Sequence, residues 1–174
     1  MKIIHVTDPH VRPPGDTIYG VDSGARLRAV IADINRRHPD ADLVAITGDL
    51  THHGEPAAYD EVARILDELR IPCRLMLGNH DSRPEFLAAF PSQPVDENGF
   101  VQSALDAPGH IGRLLFLDTH EPGRIGGHLC AHRLDWLERQ LAEAGARPIT
   151  IFQHHPPLQV GARHFDNICM AEPE

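Results

Sequence analysis

The 174-residue sequence has few cysteines, no C-x-x-C spacing and no long apolar run. Its three cysteines, Cys73, Cys130 and Cys169, are scattered, and their odd number argues against a closed set of disulfides, so a reducing compartment fits best. No stretch reaches membrane-spanning length, and the first residues lack the apolar segment and the cleavage site of a secretory signal. We therefore expect a cytoplasmic protein with no membrane partner.

Positive charge is also in short supply, which argues against one class of partner. Lys and Arg number 16 against 25 Asp and Glu, so the net charge is −9 with histidine neutral. A basic surface for a phosphate backbone is not expected, and we expect no nucleic-acid polymer as partner. The length and the 41% hydrophobic content suit one domain with a true core. We therefore assign residues 1–174 to a single domain.

The first half of the sequence predicts a parallel sheet covered by helices. Apolar runs that predict strands alternate with segments whose apolar residues recur every three or four positions, which predicts helices. This order is typical of α/β folds. The predicted strands are residues 2–7, 42–47 and 73–77, and the predicted helices run from Asp22 or Ser23 to His38 and from Pro56 to Arg70.

The second half predicts a short helix after Ser82, two neighbouring strands, a glycine-rich loop, a helix and a last strand. The strands are predicted at residues 100–104, 113–118 and 149–153. In the last helix the apolar stripe is formed by Leu134, Leu137 and Leu141, with Trp136 on its flank.

Groups that can bind metal ions follow four of the predicted strands. Because strand ends of an α/β sheet can converge on one point, these groups can form a single site. Each piece alone is common in turns or in structural roles, but four in order on successive strands are far less expected by chance. They are Asp8-Pro9-His10, Gly48-Asp49, Gly78-Asn79-His80-Asp81 and His154-His155-Pro156.

The donor set mixes carboxylate and amide oxygens with imidazole and includes no thiolate, which suits Mn, Fe, Co or Zn. Asp8 and His10 lie two positions apart, so in an extended segment both side chains can reach one ion. Two ions roughly 3.5–4 Å apart lower the pKa of bound water towards about 7, which makes attack by hydroxide on phosphorus feasible. The leaving alkoxide then needs a proton, and His80 is the candidate general acid.

The motifs D-x-H, G-D, G-N-H-D and H-H-P-P, in this order, resemble those of the calcineurin-like metallophosphoesterases. The longer strings resemble the class III branch of this superfamily, which contains cyclic-nucleotide and glycerophosphodiester phosphodiesterases; they are residues 5–10, 47–50, 54–59 and 154–158. The resemblance implies an α/β fold with a layered β-sheet sandwich flanked by helices. It also implies a phosphoric diester hydrolase that cleaves a small phosphodiester with a hydroxide activated by two metal ions.

The same resemblance implies a role for each metal-binding residue. Asp8 and His10 would bind one ion, and Asp49 would bridge the two ions. Asn79 and His154 would bind the other ion. The cofactors would then be two divalent or trivalent ions of Mn, Fe, Zn or Co.

Substrate contacts are implied for His80 and Asn79, beside the phosphate. Tyr19, in the loop after the first motif, is a further candidate substrate contact, although a loop tyrosine packed on the surface is the favoured interpretation. His52 and His53 follow the bridging carboxylate and stay outside the predicted metal set, as groups behind the ligands or in solvent.

The sequence departs from the family pattern at its end, because no Gly-His-x-His motif follows His154. We therefore expect the C-terminal part of the fold to be missing from this sequence, with a sheet edge and apolar surface left exposed. The alternatives that stay open are a phosphomonoesterase, a nuclease or a protein phosphatase of the same superfamily. A catalytically weak scaffold that binds a protein partner, and a homo-oligomer, also stay open.

Overall fold

The structure, a computed structural model, describes residues 1–108 and 112–171, apart from the side chain of His164. The chain divides into an N-terminal unit, residues 2–93, and a C-terminal unit, residues 94–174 with Met1. Within the described ranges, no helix combines the length and the apolar character needed to cross a membrane. The assignment of the whole chain to a single domain stays a prediction.

The N-terminal unit contains a parallel three-stranded sheet in the order β1-β2-β3. Its strands are β1 (Ile3–Val6), β2 (Leu43–Thr47) and β3 (Cys73–Met76), each inside its predicted range. All five residues of β2, the central strand, are buried. The continuous apolar run that predicted this strand is the pattern expected for a parallel strand covered on both faces.

Helices connect these strands as predicted. Helix α1 (Ser23–Arg37) lies between β1 and β2, α2 (Pro56–Leu66) between β2 and β3, and α3 (Arg83–Ala89) after β3. The Asp22 side chain caps α1 by accepting a hydrogen bond from the main-chain N–H of Ala25 at 2.9 Å. The mixed α/β class predicted from the sequence is therefore confirmed.

The predicted C-terminal boundary of α2 is wrong, because the helix ends at Leu66 and not at Arg70. Asn35 of α1 explains the earlier end. Its side-chain amide donates to the carbonyl of Glu68 at 2.7 Å and accepts from the main-chain N–H of Arg70 at 3.0 Å. These bonds hold residues 68–70 in a turn, where they cannot continue the helix.

The C-terminal unit has a second three-stranded sheet, in the order β4-β5-β6. Strands β4 and β5 are antiparallel neighbours, as predicted, while β6 runs parallel to β5. Strand β4 begins three residues later than predicted, because the Asp96 carboxylate accepts hydrogen bonds from the Phe100 N–H and the Gln102 amide. The elements are β4 (Ser103–Ala107), β5 (Gly112–Phe116), α4 (Ala131–Ala144), β6 (Ile149–Phe152) and α5 (Arg163–Asp166).

The orientation of α4 differs from the prediction, which put Trp136 on the flank of a leucine stripe. Trp136 is 6% exposed and belongs to the core, whereas Leu141 is 38% exposed. The buried guanidinium of Arg133 donates to the carbonyls of Asp118 and His120 at 3.1 and 2.9 Å. Because Trp136 lies three residues further along, on the same face of the helix, the bonds of Arg133 turn Trp136 inwards.

The outer strands of both sheets carry apolar side chains that are exposed or half-buried. Among the described strands, β1 and β6 each pair with a single neighbour. Ile151 of β6 is 44% exposed, and Ile4 and Val6 of β1 are only half-buried. An edge strand with an exposed apolar side chain is thus present at β6, while the expected absence of the C-terminal part of the fold stays a prediction.

Candidate metal centre

The loops that follow β1 and β2 lie side by side in the N-terminal unit. The main-chain N–H of Asp8 donates to the carbonyl of Gly48 at 3.2 Å, and that of His10 donates to the carbonyl of Asp49 at 2.9 Å. A parallel bridge between Val11 and Thr51 continues this pairing. The hydrogen bonding thus extends past the strands and brings the first two motifs together.

Three predicted ligands of the N-terminal unit meet at the end of these strands. The Nε2 atom of His10 lies 3.7 Å from Oδ1 of Asp8 and 3.4 Å from Oδ2 of Asp49. The Asp49 side chain is 5% exposed, while that of Asp8 is 46% exposed. Two carboxylates and an imidazole that face one another form the mixed donor set that first-row transition metals accept, so these residues fit a metal ion.

The backbone at these ligands is strained. Asp8, His10 and Asp49 all have positive φ angles, at 54°, 46° and 50°. Residues other than glycine rarely adopt this region, and each such residue costs on the order of 1–3 kcal/mol. Strain of this kind is concentrated at functional sites, and here it turns three predicted ligands towards one point.

The third motif is attached to the same centre through His80. Its main-chain N–H donates to Oδ1 of Asp49 at 2.9 Å, and its Nδ1 donates to the carbonyl of His52 at 2.8 Å. A carbonyl only accepts, so Nδ1 carries the hydrogen and Nε2 is the nitrogen that can exchange a proton. Asn79 lies half-buried in the same loop, between β3 and α3.

His52 occupies the middle of a cluster of histidines. One ring nitrogen from each of His10, His52 and His80 lies within 4.8 Å of the other two. Burial, followed by the neighbouring histidines, lowers the pKa of His52, which favours its neutral form. Of the two positions that the sequence left open for His52, behind the ligands or in solvent, this half-buried place beside His10 favours the first.

Asp81 ties the loops after β2 and β3 together. Its buried carboxylate accepts main-chain hydrogen bonds from Leu50 and Thr51, both at 3.1 Å, and from Gly78 at 2.9 Å. The hydroxyl of Tyr59 donates to the same carboxylate at 3.0 Å. Burial is the largest influence and raises the pKa of Asp81 to about 6, although the main-chain hydrogen bonds oppose it. Asp81 is the last residue of the G-N-H-D motif, and the motif alone gives it no role.

The roles assigned to Tyr19 and His154 from the sequence stay predictions. Tyr19 is fully exposed, in the loop after β1, and its contact with substrate stays a prediction. His154 belongs to the C-terminal unit, directly after β6, where it is half-buried with its ring edge-on to that of His155. Its role as a ligand also stays a prediction.

His155 is a structural histidine of the C-terminal unit. It is 1% exposed, and its Nδ1 shares a hydrogen bond of 2.7 Å with the hydroxyl of Thr119. Gly127 lies so close that a Cβ atom there would be 2.7 Å from the Cγ of His155. Burial, followed by the neighbouring histidines, lowers the pKa of His155 to about 4.

We expect His155 to make the metal-free protein sensitive to acid. Above about pH 6.5 both the folded and the unfolded states hold His155 neutral, so stability is full. As the pH falls from 6.5 to 4, only the unfolded state takes up the proton, which lowers the free energy of unfolding by about 2–3 kcal/mol. Urea unfolding at pH 7 and pH 4.5 measures this loss.

The His155→Asn variant should show a smaller loss of stability between these two pH values. His132→Asn, on the exposed side of α4, is the matched control and should keep the full loss. An NMR titration of the His155 ring in the unmodified protein reports its pKa even where the variant is unstable. A ring that titrates near pH 6.5 would contradict the prediction.

Comparison with known proteins gives a consistent result. The family model for the calcineurin-like phosphoesterases matches residues 1–172. The chain is 46% identical over 177 residues to the "Probable cyclic nucleotide phosphodiesterase" of Rhodopseudomonas palustris. The aligned region covers 100% of this chain and 64% of that protein. It is 33% identical over 173 residues to the glycerophosphodiester phosphodiesterase GpdQ of Enterobacter lignolyticus, with coverage of 97% and 62%.

A third relative is the 3',5'-cyclic adenosine monophosphate phosphodiesterase CpdA of Escherichia coli, 30% identical over 167 residues, with coverage of 95% and 59%. The chain thus spans less than two thirds of the length of these relatives. Among solved structures, the purple acid phosphatase of yellow lupin is similar with a TM-score of 0.57 and 14% identity, over 95% of this chain and 33% of that one. That similarity concerns the fold alone.

Proposed function

Because the chain belongs to the calcineurin-like phosphoesterase family, we propose that the whole protein hydrolyses a small phosphodiester in a metal-dependent reaction. The observation that carries the proposal is the approach of the Asp8 and Asp49 carboxylates to the His10 ring, with His80 anchored beside them. The names of the relatives support a 3',5'-cyclic nucleotide or a glycerophosphodiester as substrate.

Enzymes of this family depend on metal ions, and we propose two ions of Mn, Fe, Zn or Co here. Asp8 and His10 would bind one ion, and Asp49 would be shared. Asn79 and His154 are proposed as further ligands from the sequence motifs alone. When bound, such a pair lowers the pKa of a water molecule and neutralises charge on the phosphoryl oxygens.

We propose that His80 donates the proton that the leaving alkoxide requires. Its Nδ1–H is held by the carbonyl of His52, so the ring would act in its imidazolium form, passing its second proton from Nε2 to the leaving oxygen and returning to the neutral ring. Asp49 holds the main chain of His80, which fixes the donor relative to a ligand. The amide of Asn79 is proposed to contact the phosphate alongside His80.

The test uses the full-length protein, stripped of metal with a chelator and then supplied with Mn²⁺. We expect turnover of bis(p-nitrophenyl) phosphate only after metal is restored, and faster than turnover of p-nitrophenyl phosphate. Cyclic AMP and a glycerophosphodiester, assayed side by side, then distinguish the two substrate classes. A preference for the monoester would replace the diesterase proposal, and no turnover at any metal loading would favour a scaffold.

A further inference from the structure

The two ring nitrogens of His10 face different partners. Nε2 faces the carboxylates of Asp8 and Asp49, at 3.7 and 3.4 Å. Nδ1 lies 3.4 Å from Nδ1 of His52, on the other side of the ring. Two imidazole nitrogens that meet in this way share one hydrogen, so one donates and the other accepts.

Metal binding decides which nitrogen donates. A cation binds a nitrogen lone pair, so Nε2 of His10 must be unprotonated and its hydrogen must lie on Nδ1. Nδ1 of His10 is then the donor, and Nδ1 of His52 is the acceptor. His52 consequently carries its own hydrogen on Nε2.

The main chain of His52 makes two hydrogen bonds that are separate from the contact of its side chain. Its carbonyl accepts the Nδ1–H of His80 at 2.8 Å, while its N–H donates to the carbonyl of Val11 at 3.1 Å. The loop after β1, which carries Val11, therefore holds the main chain of His52. One residue thus contacts a proposed ligand through its side chain and the proposed proton donor through its backbone.

We propose that His52 is a positioning residue, whose Nδ1 acceptor orients the ring of His10 for metal binding. This inference rests on the proposed function, because it takes His10 as a ligand. Hydrogen-bond partners behind a ligating histidine fix its ring orientation, and their loss typically weakens metal binding by about 10–100-fold. Because any substitution of His52 keeps the carbonyl that holds His80, side-chain variants test the acceptor separately.

The experiment compares His52→Leu with His52→Asn in the full-length, metal-stripped protein. Leucine removes the acceptor, whereas asparagine places its Oδ1 where Nδ1 of His52 lies. Calorimetric titration with Mn²⁺ should show the Kd of one ion raised by about 10–100-fold in His52→Leu and returned to within about threefold of the unmodified protein in His52→Asn. The kcat at saturating Mn²⁺ should fall by a smaller factor than the affinity.

The matched control is His53→Leu, because His53 is exposed and its ring contacts His52 at a centroid distance of 4.4 Å. We expect its Mn²⁺ affinity to change by less than about twofold, since it has no part in orienting His10. Circular dichroism checks that each variant is folded. In the zinc-loaded unmodified protein, ¹⁵N NMR should show His52 protonated on Nε2 and not on Nδ1.

An unchanged Mn²⁺ affinity in His52→Leu would overturn the proposal, and so would an asparagine variant as weak as the leucine variant. Loss of one bound ion per molecule in His52→Asn would also overturn it, because His52 would then be a ligand itself. The two proposals can fail separately. If the unmodified protein hydrolyses no diester but His52→Leu still binds Mn²⁺ more weakly than the unmodified protein by the expected factor, the proposed function fails and the positioning role stands.

Discussion

The His80→Ala variant of the full-length protein is expected to cleave a cyclic nucleotide about 10²–10⁴-fold more slowly at saturating metal, the range that a positioned general acid contributes. The rate is expected to fall because the leaving alkoxide must be protonated as the P–O bond breaks. His80 is held by its Nδ1–H on the His52 carbonyl and by its main-chain N–H on Asp49, so Nε2 is the nitrogen from which we propose that the proton is donated. The measurement is kcat with cyclic AMP.

A second substrate separates proton donation from structural damage. p-Nitrophenolate is a stable anion that leaves without a proton, so bis(p-nitrophenyl) phosphate should lose much less rate than cyclic AMP. His53→Ala, the exposed neighbour of His52, is the control and should keep its rate with both substrates. Equal losses with both substrates would mean that His80 supports the metal loop and does not donate the proton.

The second large effect is on folding. We expect Asp81→Ala to lower the free energy of unfolding by about 3 kcal/mol or more, because each buried donor left without a partner costs about 1–3 kcal/mol. Three main-chain N–H groups lose their acceptor together, and the hydroxyl of Tyr59 keeps only the more distant carbonyl of Ser82 at 3.4 Å. This is a large part of the roughly 5–15 kcal/mol that stabilises a typical domain. Urea unfolding of the metal-free protein measures the difference.

Asp60→Ala is the matched control, because Asp60 is an exposed aspartate in the middle of α2 and should change stability by no more than about 0.5 kcal/mol. Asp81→Asn keeps one acceptor oxygen but turns an NH₂ group towards the donors, so its stability should lie between that of the alanine variant and the unmodified protein. If the free energy of unfolding of Asp81→Ala falls by less than about 1 kcal/mol, water molecules replace the carboxylate as acceptors for these donors, and the prediction is wrong.

Local patterns explain what the sequence predicts well. The unbroken apolar run of β2 and the Asp22 cap of α1 depend on nearest neighbours in the chain, so both are readable from the sequence. The meeting of Asp8, His10 and Asp49 follows from topology, since neighbouring parallel strands end at the same edge of a sheet.

Features that depend on tertiary hydrogen bonds were not predictable in the same way. The sequence left open whether His52 lies behind the ligands or in solvent, because spacing carries no sign of the turn at the strained Asp49 that precedes it. An aspartate in a turn is common at the surface, so the sequence gives no sign that Asp81 is buried. A stripe of leucines predicted the inward face of α4, but the buried Arg133 and its carbonyl partners decide that face.

The hydrogen bonds of Asp81 also bear on how this site can be altered. Because one carboxylate holds residues 50 and 51 as well as residue 78, the loops after β2 and β3 form one mechanical unit. A chimaera that takes only one of these loops from a relative would lose hydrogen bonds between them, so the two loops must be exchanged together. The loop that carries Tyr19, whose side chain lies in solvent, takes no part in these hydrogen bonds, so we expect it to tolerate exchange better than the loops after β2 and β3.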